Sequence, residues 1–307
     1  MMNFDEFVNF IKDNIVKGLP EEYKDAKAEI ISSYRNQEKA VGIAVKKASS
    51  NIAPIVYLEP YFKRYQEGAG TTLILYHISS LIVNNEVQNI DLDFICNWDE
   101  IKDKVVPKIV SINGNDDYLA DKVFTEFAKD LAVIYQIPVI KTEDGVGVIA
   151  ITNNIFEKIS GLTDKQVLHE AAIKNIKDKS TFKTMKEVLR DKLINTYGLS
   201  DEDIDILFIS TPLMPLKMYV LSNTDNYNGA AQILNEDIMK QIADEIGDDF
   251  LIIPSSVHEV IILTDTDNID IDNLGELITS VNENELDPNE RLSDHPYRYV
   301  NGQILAA

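Results

Sequence analysis

Only one cysteine, Cys96, occurs in the 307 residues. That excludes an intramolecular disulfide and any zinc site built from several thiolates, and a reducing cytoplasm is the expected compartment. Long hydrophobic runs are also missing. A bilayer-spanning helix needs roughly 20 apolar residues, and the best stretch, Thr71 to Val83, is interrupted by His77, Ser79 and Ser80. The opening Met1-Met2-Asn3-Phe4-Asp5-Glu6 has no basic segment ahead of an apolar run, so no secretory signal is expected. Neither glycine-rich phosphate loop occurs, and Gly145-Val146-Gly147 is too short to serve as one. There is no Gly-x-Ser-x-Gly nucleophile elbow. The four histidines, His77, His169, His258 and His295, include no pair spaced three or four apart, so a helical zinc signature is absent. His77 and His169 fall on expected helices, as packing or surface residues. No metal or cofactor is expected.

Basic side chains are scarce in one region. Residues 201–307 carry 22 acids and four bases (Lys217, Lys240, Arg291 and Arg298), a net of −18, while the first 200 residues are near −4. Such a surface repels nucleic-acid phosphates and anionic membranes and speeds the approach of a basic partner. The plainer reading is a solvated face that keeps the chain soluble.

Apolar content of 45% in 307 residues is enough for a substantial core, in one elaborated domain or two. Phe4, Phe7, Val8, Ile11 and Ile15 have the spacing of an amphipathic helix. Ala28–Ser33 and Ala40–Lys46 read as a hairpin across Asn36-Gln37-Glu38, with Asn51–Leu58 a third extended segment. Two helices, Glu59–Gln66 and Thr71–Val83, follow around Gly68-Ala69-Gly70.

Asn97–Val105 is a short helix or linker. Pro107–Ile112 is an expected strand, closed by the turn-rich loop at 113–117. Ala132–Ile140 and Gly145–Thr152 read as strands around the turn Thr142-Glu143-Asp144-Gly145, whose Asp-Gly pair supports a hairpin. Asn153 or Asn154 is the expected cap of the next helix. Helices are expected at Thr163–Asn175, with Val167, Leu168, Ala171 and Ala172 on one side, and at Ser180–Tyr197. Leu207–Ser210 and Met218–Leu221 read as short strands.

Leu234, Ile238, Ile242 and Ile246, with Ala231 and Met239 beside them, mark one buried helix stripe that Gly247 stops. Phe250–Ile253 and Val260–Leu263 are paired strands, Ile271–Val281 is a helix, and Asn301-Gly302 turns a last hairpin. The expected fold is α+β in two parts, 1–105 and 106–307, each a mostly antiparallel sheet flanked by helices.

Polar residues at the breaks between these elements are the candidate functional set: Asn223, Asn226, Tyr227, Ser255, Ser256, His258 and Glu259. Loops held by a rigid scaffold carry sites. A serine, a histidine and a carboxylate are the ingredients of an activated nucleophile. On an extended strand, however, Ser256 and His258 share a face and Glu259 points away. The competing reading has the serines satisfying turn backbone groups while His258 closes a hairpin. Asn223–Gly229 enters a helix, where backbone N–H groups hold anions, but nearby acids disfavour phosphate. Asp265–Glu276 has the length of a calcium loop. It places Asp270 where glycine is needed and the apolar Ile269 at a ligand position, and so reads as a solvated turn into a helix.

Several of these stretches resemble a family of gut Clostridia known only as a domain of unknown function. They are Tyr219-Val220-Leu221-Ser222-Asn223, Asn226-Tyr227-Asn228-Gly229-Ala230-Ala231 with Ile233-Leu234, Ile252–Val260 and Leu292-Ser293-Asp294, together with Phe4–Phe7 and Asn51–Pro54. The order of strand, Asn-rich loop, helix, strand, Pro and strand is distantly similar to the YtpQ-like family of Firmicutes. There a His directly follows the Pro and the paired serines are lacking. The resemblance implies a cytoplasmic bacterial protein, often of mobile-element-rich genomes, and transfers no catalytic residue.

The expected function is a non-enzymatic binding or regulatory module whose acidic face meets a basic protein, one version being nucleic-acid mimicry. The alternatives are a hydrolase-type enzyme at the Asn223–Tyr227 loop and Ser255–Glu259 turn, and a small-ligand sensor.

Overall fold

The structure, a computed structural model, describes residues 1–50, 53–85, 93–142, 145–210, 217–247, 249–264 and 269–307. The chain divides into two compact units, Met1–Asp93 and Phe94–Ala307. The sequence expectation placed the boundary near 105. Phe94–Val105 instead packs with the second unit: Trp98 N–H donates to the Ser160 carbonyl, and Asn175 Nδ2 donates to the carbonyls of Lys102 and Val105.

In the first unit, α1 (Phe4–Ile15) starts at Asn3 in a capping box with Glu6. Strands β1 (Lys27–Arg35), β2 (Glu38–Lys46) and β3 (Ile55–Tyr57) form an antiparallel three-stranded sheet. Helices α2 (Glu59–Gln66) and α3 (Thr71–Asn84) follow. The apolar side of α1 (Phe7, Val8, Ile11, Ile15) packs with Ile43 of the sheet and Ile74, Ile78 and Ile82 of α3.

The second unit opens with α4 (Trp98–Ile101), β4 (Val106–Ser111), α5 (Asp116–Leu119), β5 (Phe124–Phe127), β6 (Leu131–Thr142) and β7 (Gly145–Ala150). Strands β4 and β5 flank β6, which also pairs with β7, all antiparallel. Then come α6 (Asn153–Phe156), α7 (Lys165–Lys174), β8 (Ser180–Thr184), α8 (Met185–Tyr197), α9 (Asp201–Ser210), β9 (Met218–Asn223), α10 (Glu236–Ile246), β10 (Asp249–Ser256), β11 (Glu259–Leu263), α11 (Ile271–Asn284), β12 (Tyr297–Val300) and β13 (Gln303–Ala306). The last strands form an antiparallel six-stranded sheet in the order β13-β12-β10-β11-β9-β8. Antiparallel sheets with flanking helices make the fold α+β.

Several local expectations are corrected. Ser180–Tyr197 is not one helix: Ser180–Thr184 pairs with Asn223–Tyr219 as an edge strand, and Thr184 restarts the chain as α8 through a capping box with Glu187. Leu207–Ser210 is the end of α9, not a strand. An apolar run that short has the same appearance in either element. Thr152, not Asn153 or Asn154, caps α6 through a bond from Ile155 N–H. In α7 Leu168 and Ala172 are buried, while Val167 is exposed. The Leu234–Ile246 stripe spans two elements, because Gly229–Leu234 is a 3-10 helix and α10 begins at Glu236. Part of the 113–117 loop belongs to α5, and β5 was not anticipated.

Of the calcium-length segment, Asp265–Asn268 lies outside the described residues. Asp270 caps α11, accepting from Asp272 and Asn273 N–H. Among the described residues, no group of acids, histidines or cysteines is placed to hold a metal ion. No described helix is long and apolar enough to cross a membrane.

Candidate functional site

The candidate residues meet where the loop after β9 lies against the β10–β11 turn. Strand β9 delivers Ser222 and Asn223 to the loop at the sheet's end. Asn223 organises that loop: its Oδ1 accepts from Asp225 and Tyr227 N–H at 3.1 and 3.3 Å, and its Nδ2 donates to the Tyr227 carbonyl at 2.8 Å. Asn226 and Asn228 sit in left-handed conformation with φ of 50° and 53°, a region asparagine tolerates better than most residues.

Gly229 follows at a point where a Cβ would come within 2.3 Å of the His258 carbonyl oxygen and of Ser222 Oγ. Only glycine allows so close an approach. The loop is then tied to the turn by Ser222 Oγ donating to the His258 carbonyl at 2.8 Å and Ala230 N–H donating to the Val257 carbonyl at 3.3 Å.

His258 is clamped from both sides. Its Nδ1 accepts the Asn228 N–H at 3.1 Å, and its backbone N–H donates to Ser256 Oγ at 3.0 Å. The ring lies 5.6 Å from the Tyr227 ring. Burial pushes the imidazole below its usual range, with Lys108 adding to the shift and Glu290 opposing it. A neutral ring that accepts at Nδ1 carries its proton on Nε2, and Nε2 stands 4.0 Å from a Glu290 carboxylate oxygen. Neither ring nitrogen bonds a hydroxyl among the described residues. Ser256 acts as an acceptor that closes the turn. Ser255 lies in the irregular stretch between Ile253 and Ser256, where the β10–β11 register shifts.

Behind the junction is a row of buried amides. Asn228 Nδ2 donates to Gln136 Oε1 of β6 at 3.0 Å, and Ser180 Oγ donates to Gln232 Oε1 at 2.6 Å. Gln232 and Asn235 donate in turn to the carbonyls of Ile176 and Lys177. Gln136, Asn228, Gln232 and Asn235 are all at most 5% exposed, so each bond offsets a desolvation cost that an unmade one would leave in full. None was among the seven candidates. Gln136 is nonetheless visible as a polar residue inside the apolar run of β6, and buried polar residues are the informative exception.

Two clefts flank the loop. One, of about 400 Å³, has Asn223, Tyr227 and Asn228 facing Pro107, Pro138 and Ile140. The other, of about 460 Å³, has Asn223, Asn226 and Glu259 beside Thr181 and Asp191, with Val188 and Val220 also lining it. His258 lines neither. Asn223 lines both clefts and accepts the Asn226 N–H at its carbonyl, and Glu259 pairs with Ser256, so the packed junction (Asn223, Tyr227, Ser256, His258) is continuous with the cleft pair Asn226 and Glu259. Among the described residues, no side-chain bond joins Ser255 to them.

A family model described as a family of unknown function, DUF5688, matches residues 4–301. The chain belongs to this family. The match runs through both units and includes the loop–turn junction. No curated protein and no solved structure matches the chain.

Proposed function

We propose that this DUF5688 chain is a non-enzymatic binding module that engages a basic, amphipathic segment of a protein partner through its acidic C-terminal third. The observation carrying this reading is the outward side of α11. The helix is held by Ile278, which is buried, and by Asn282, whose Nδ2 donates to the Ser293 carbonyl at 3.0 Å and to Asp294 Oδ1 at 2.7 Å. At 100° per residue, Asp272, Glu276 and Glu283 fall on one outward flank, and Leu277 and Val281 form a ridge on the other. Leu277 is 59% exposed and Val281 42%. No Lys or Arg lies in the helix. A partner helix with lysines on one edge and leucines on the next complements both flanks, joining charge steering to apolar burial.

The hydrolase alternative has less support. The His258 ring nitrogen that would take a proton from a nucleophile is already committed to a backbone amide, and Ser256 is committed to the turn.

The test is the affinity of the full chain for a synthetic Lys/Leu amphipathic peptide. Leu277→Ser with Val281→Ser leaves net charge unchanged and is expected to weaken binding about tenfold. Binding that responds to salt but not to these substitutions would reduce the effect to bulk charge and contradict the reading.

A further inference from the structure

A second polar chain in the same unit leads into a different cleft. Tyr135, midway along β6, is fully buried. Its hydroxyl stands 2.6 Å from Thr125 Oγ1 on β5 and 3.0 Å from His169 Nδ1 on α7. Burial pushes the Tyr135 phenol up to about 12, so it keeps its single proton. Burial also pushes the His169 imidazole down, with Glu170 opposing, which favours the neutral ring.

The direction of the chain follows from donor and acceptor strength. A phenol is a better donor than an alcohol, and a neutral imidazole nitrogen is a better acceptor than an alcohol oxygen. Thr125 therefore donates to Tyr135, and Tyr135 donates to His169 Nδ1. The ring proton of His169 is fixed on Nε2. Among the described residues Nε2 has no partner.

His169 lines a cleft of about 770 Å³, a volume within the range of small-molecule sites. Phe127 and Ile304 supply the main apolar wall, backed by the buried Ile233 and Met239, and polar groups make up much of the rest of the lining. Glu236, Lys240 and Asp244 stand at its exposed edge, two carboxylates to one ammonium, which disfavours an anion.

We propose that this cleft binds a neutral small molecule with both apolar and polar surface, whose carbonyl oxygen accepts a hydrogen bond from His169 Nε2–H. Tyr135 and Thr125 are positioning residues: they set the tautomer and aim the donor without touching the ligand. The site is independent of the α11 surface, so either proposal stands without the other.

The probe is the neutral carbonyl dye Nile red, titrated into the full-length chain. Saturable, blue-shifted fluorescence is expected. Ile304→Trp, at a half-buried wall position, is expected to abolish it by filling the cleft. His169→Ala is expected to weaken the dye about tenfold, the loss of one hydrogen bond. His169→Gln, which keeps an N–H donor, is expected to restore most of the affinity and so to separate the donor's role from loss of folding. Long-range proton–nitrogen spectra are expected to show His169 protonated on Nε2. The proposal is overturned by the absence of saturable binding, by binding indifferent to Ile304→Trp or His169→Ala, by a proton on Nδ1, or by tighter binding of an anionic carboxylate of similar size.

Discussion

His295 Nε2 donates to Asp130 Oδ2 at 2.8 Å, joining residues 165 positions apart. The other ring nitrogen, Nδ1, stands 2.9 Å from the Pro296 carbonyl oxygen. Both nitrogens thus face acceptors, the arrangement that suits an imidazolium. Tyr297 OH donates to the same carboxylate oxygen at 2.7 Å. The Asp130 bond is the main reason the His295 pKa is raised. Burial opposes it, and the Pro296 carbonyl and the charges of Asp130 and Asp294 add to it. Burial pushes Asp130 up, but the bonds from His295 and Tyr297 outweigh it and hold the carboxyl below its usual range.

Stability is therefore expected to follow pH in a defined way. The His295 contribution is complete below the unfolded value of about 6.5 and is lost as pH rises through the raised folded value. The Asp130 contribution is present above about pH 4 and is lost as pH falls through the lowered folded value. Both act together between these limits. The melting-temperature gap between the unmodified chain and Asp130→Asn should be widest near about pH 5.5 and narrower at about pH 8.5. A gap that stays constant over that range would contradict the charged pair.

Gly229→Ala places a methyl group against the His258 carbonyl and Ser222 Oγ. Relief requires moving the loop away from the turn, so a loss of ~3 kcal/mol in denaturant unfolding is expected. Stability within a few tenths of that of the unmodified chain would mean that the loop and turn are not packed as described.

The Asn228–Gln136 bond links the loop to β6 across 92 residues. Asn228→Ala and Gln136→Ala should each destabilise by ~1–3 kcal/mol, because each leaves a buried partner unsatisfied. The double variant should cost less than their sum, and a cycle measured by urea unfolding should give a coupling of ~1 kcal/mol. Strict additivity would remove the bond from the account.

Ser256→Ala is expected to cost ~1 kcal/mol through the lost acceptor for His258 N–H. Nuclear magnetic resonance of His258 Nδ1 should remain that of an acceptor nitrogen, since its partner is Asn228. A changed Nδ1 state in this variant would tie the ring to Ser256 and revive a nucleophile reading.

Elements with a long, regular period were legible in the sequence. The α1 stripe and the β1–β2 hairpin need only neighbouring residues to declare themselves, and Asn301-Gly302 marks its own turn. Strand β8 is different: Ser180–Thr184 is extended because β9 offers an edge 35 or more positions away, and nothing local reports that edge. The candidate site shows the same division. Asn223, Ser256 and Gly229 carry turn chemistry that is visible locally. The Asn228–Gln136 bond, the α11 ridge and the Thr125–Tyr135–His169 chain exist only once distant segments meet.

The most direct test of the central claim is nuclear magnetic resonance mapping of the full chain titrated with the Lys/Leu amphipathic peptide. The account predicts saturable shifts concentrated on Asp272, Glu276, Leu277, Val281 and Glu283 of α11. Shifts spread evenly over acids throughout the chain, or none on α11, would contradict it.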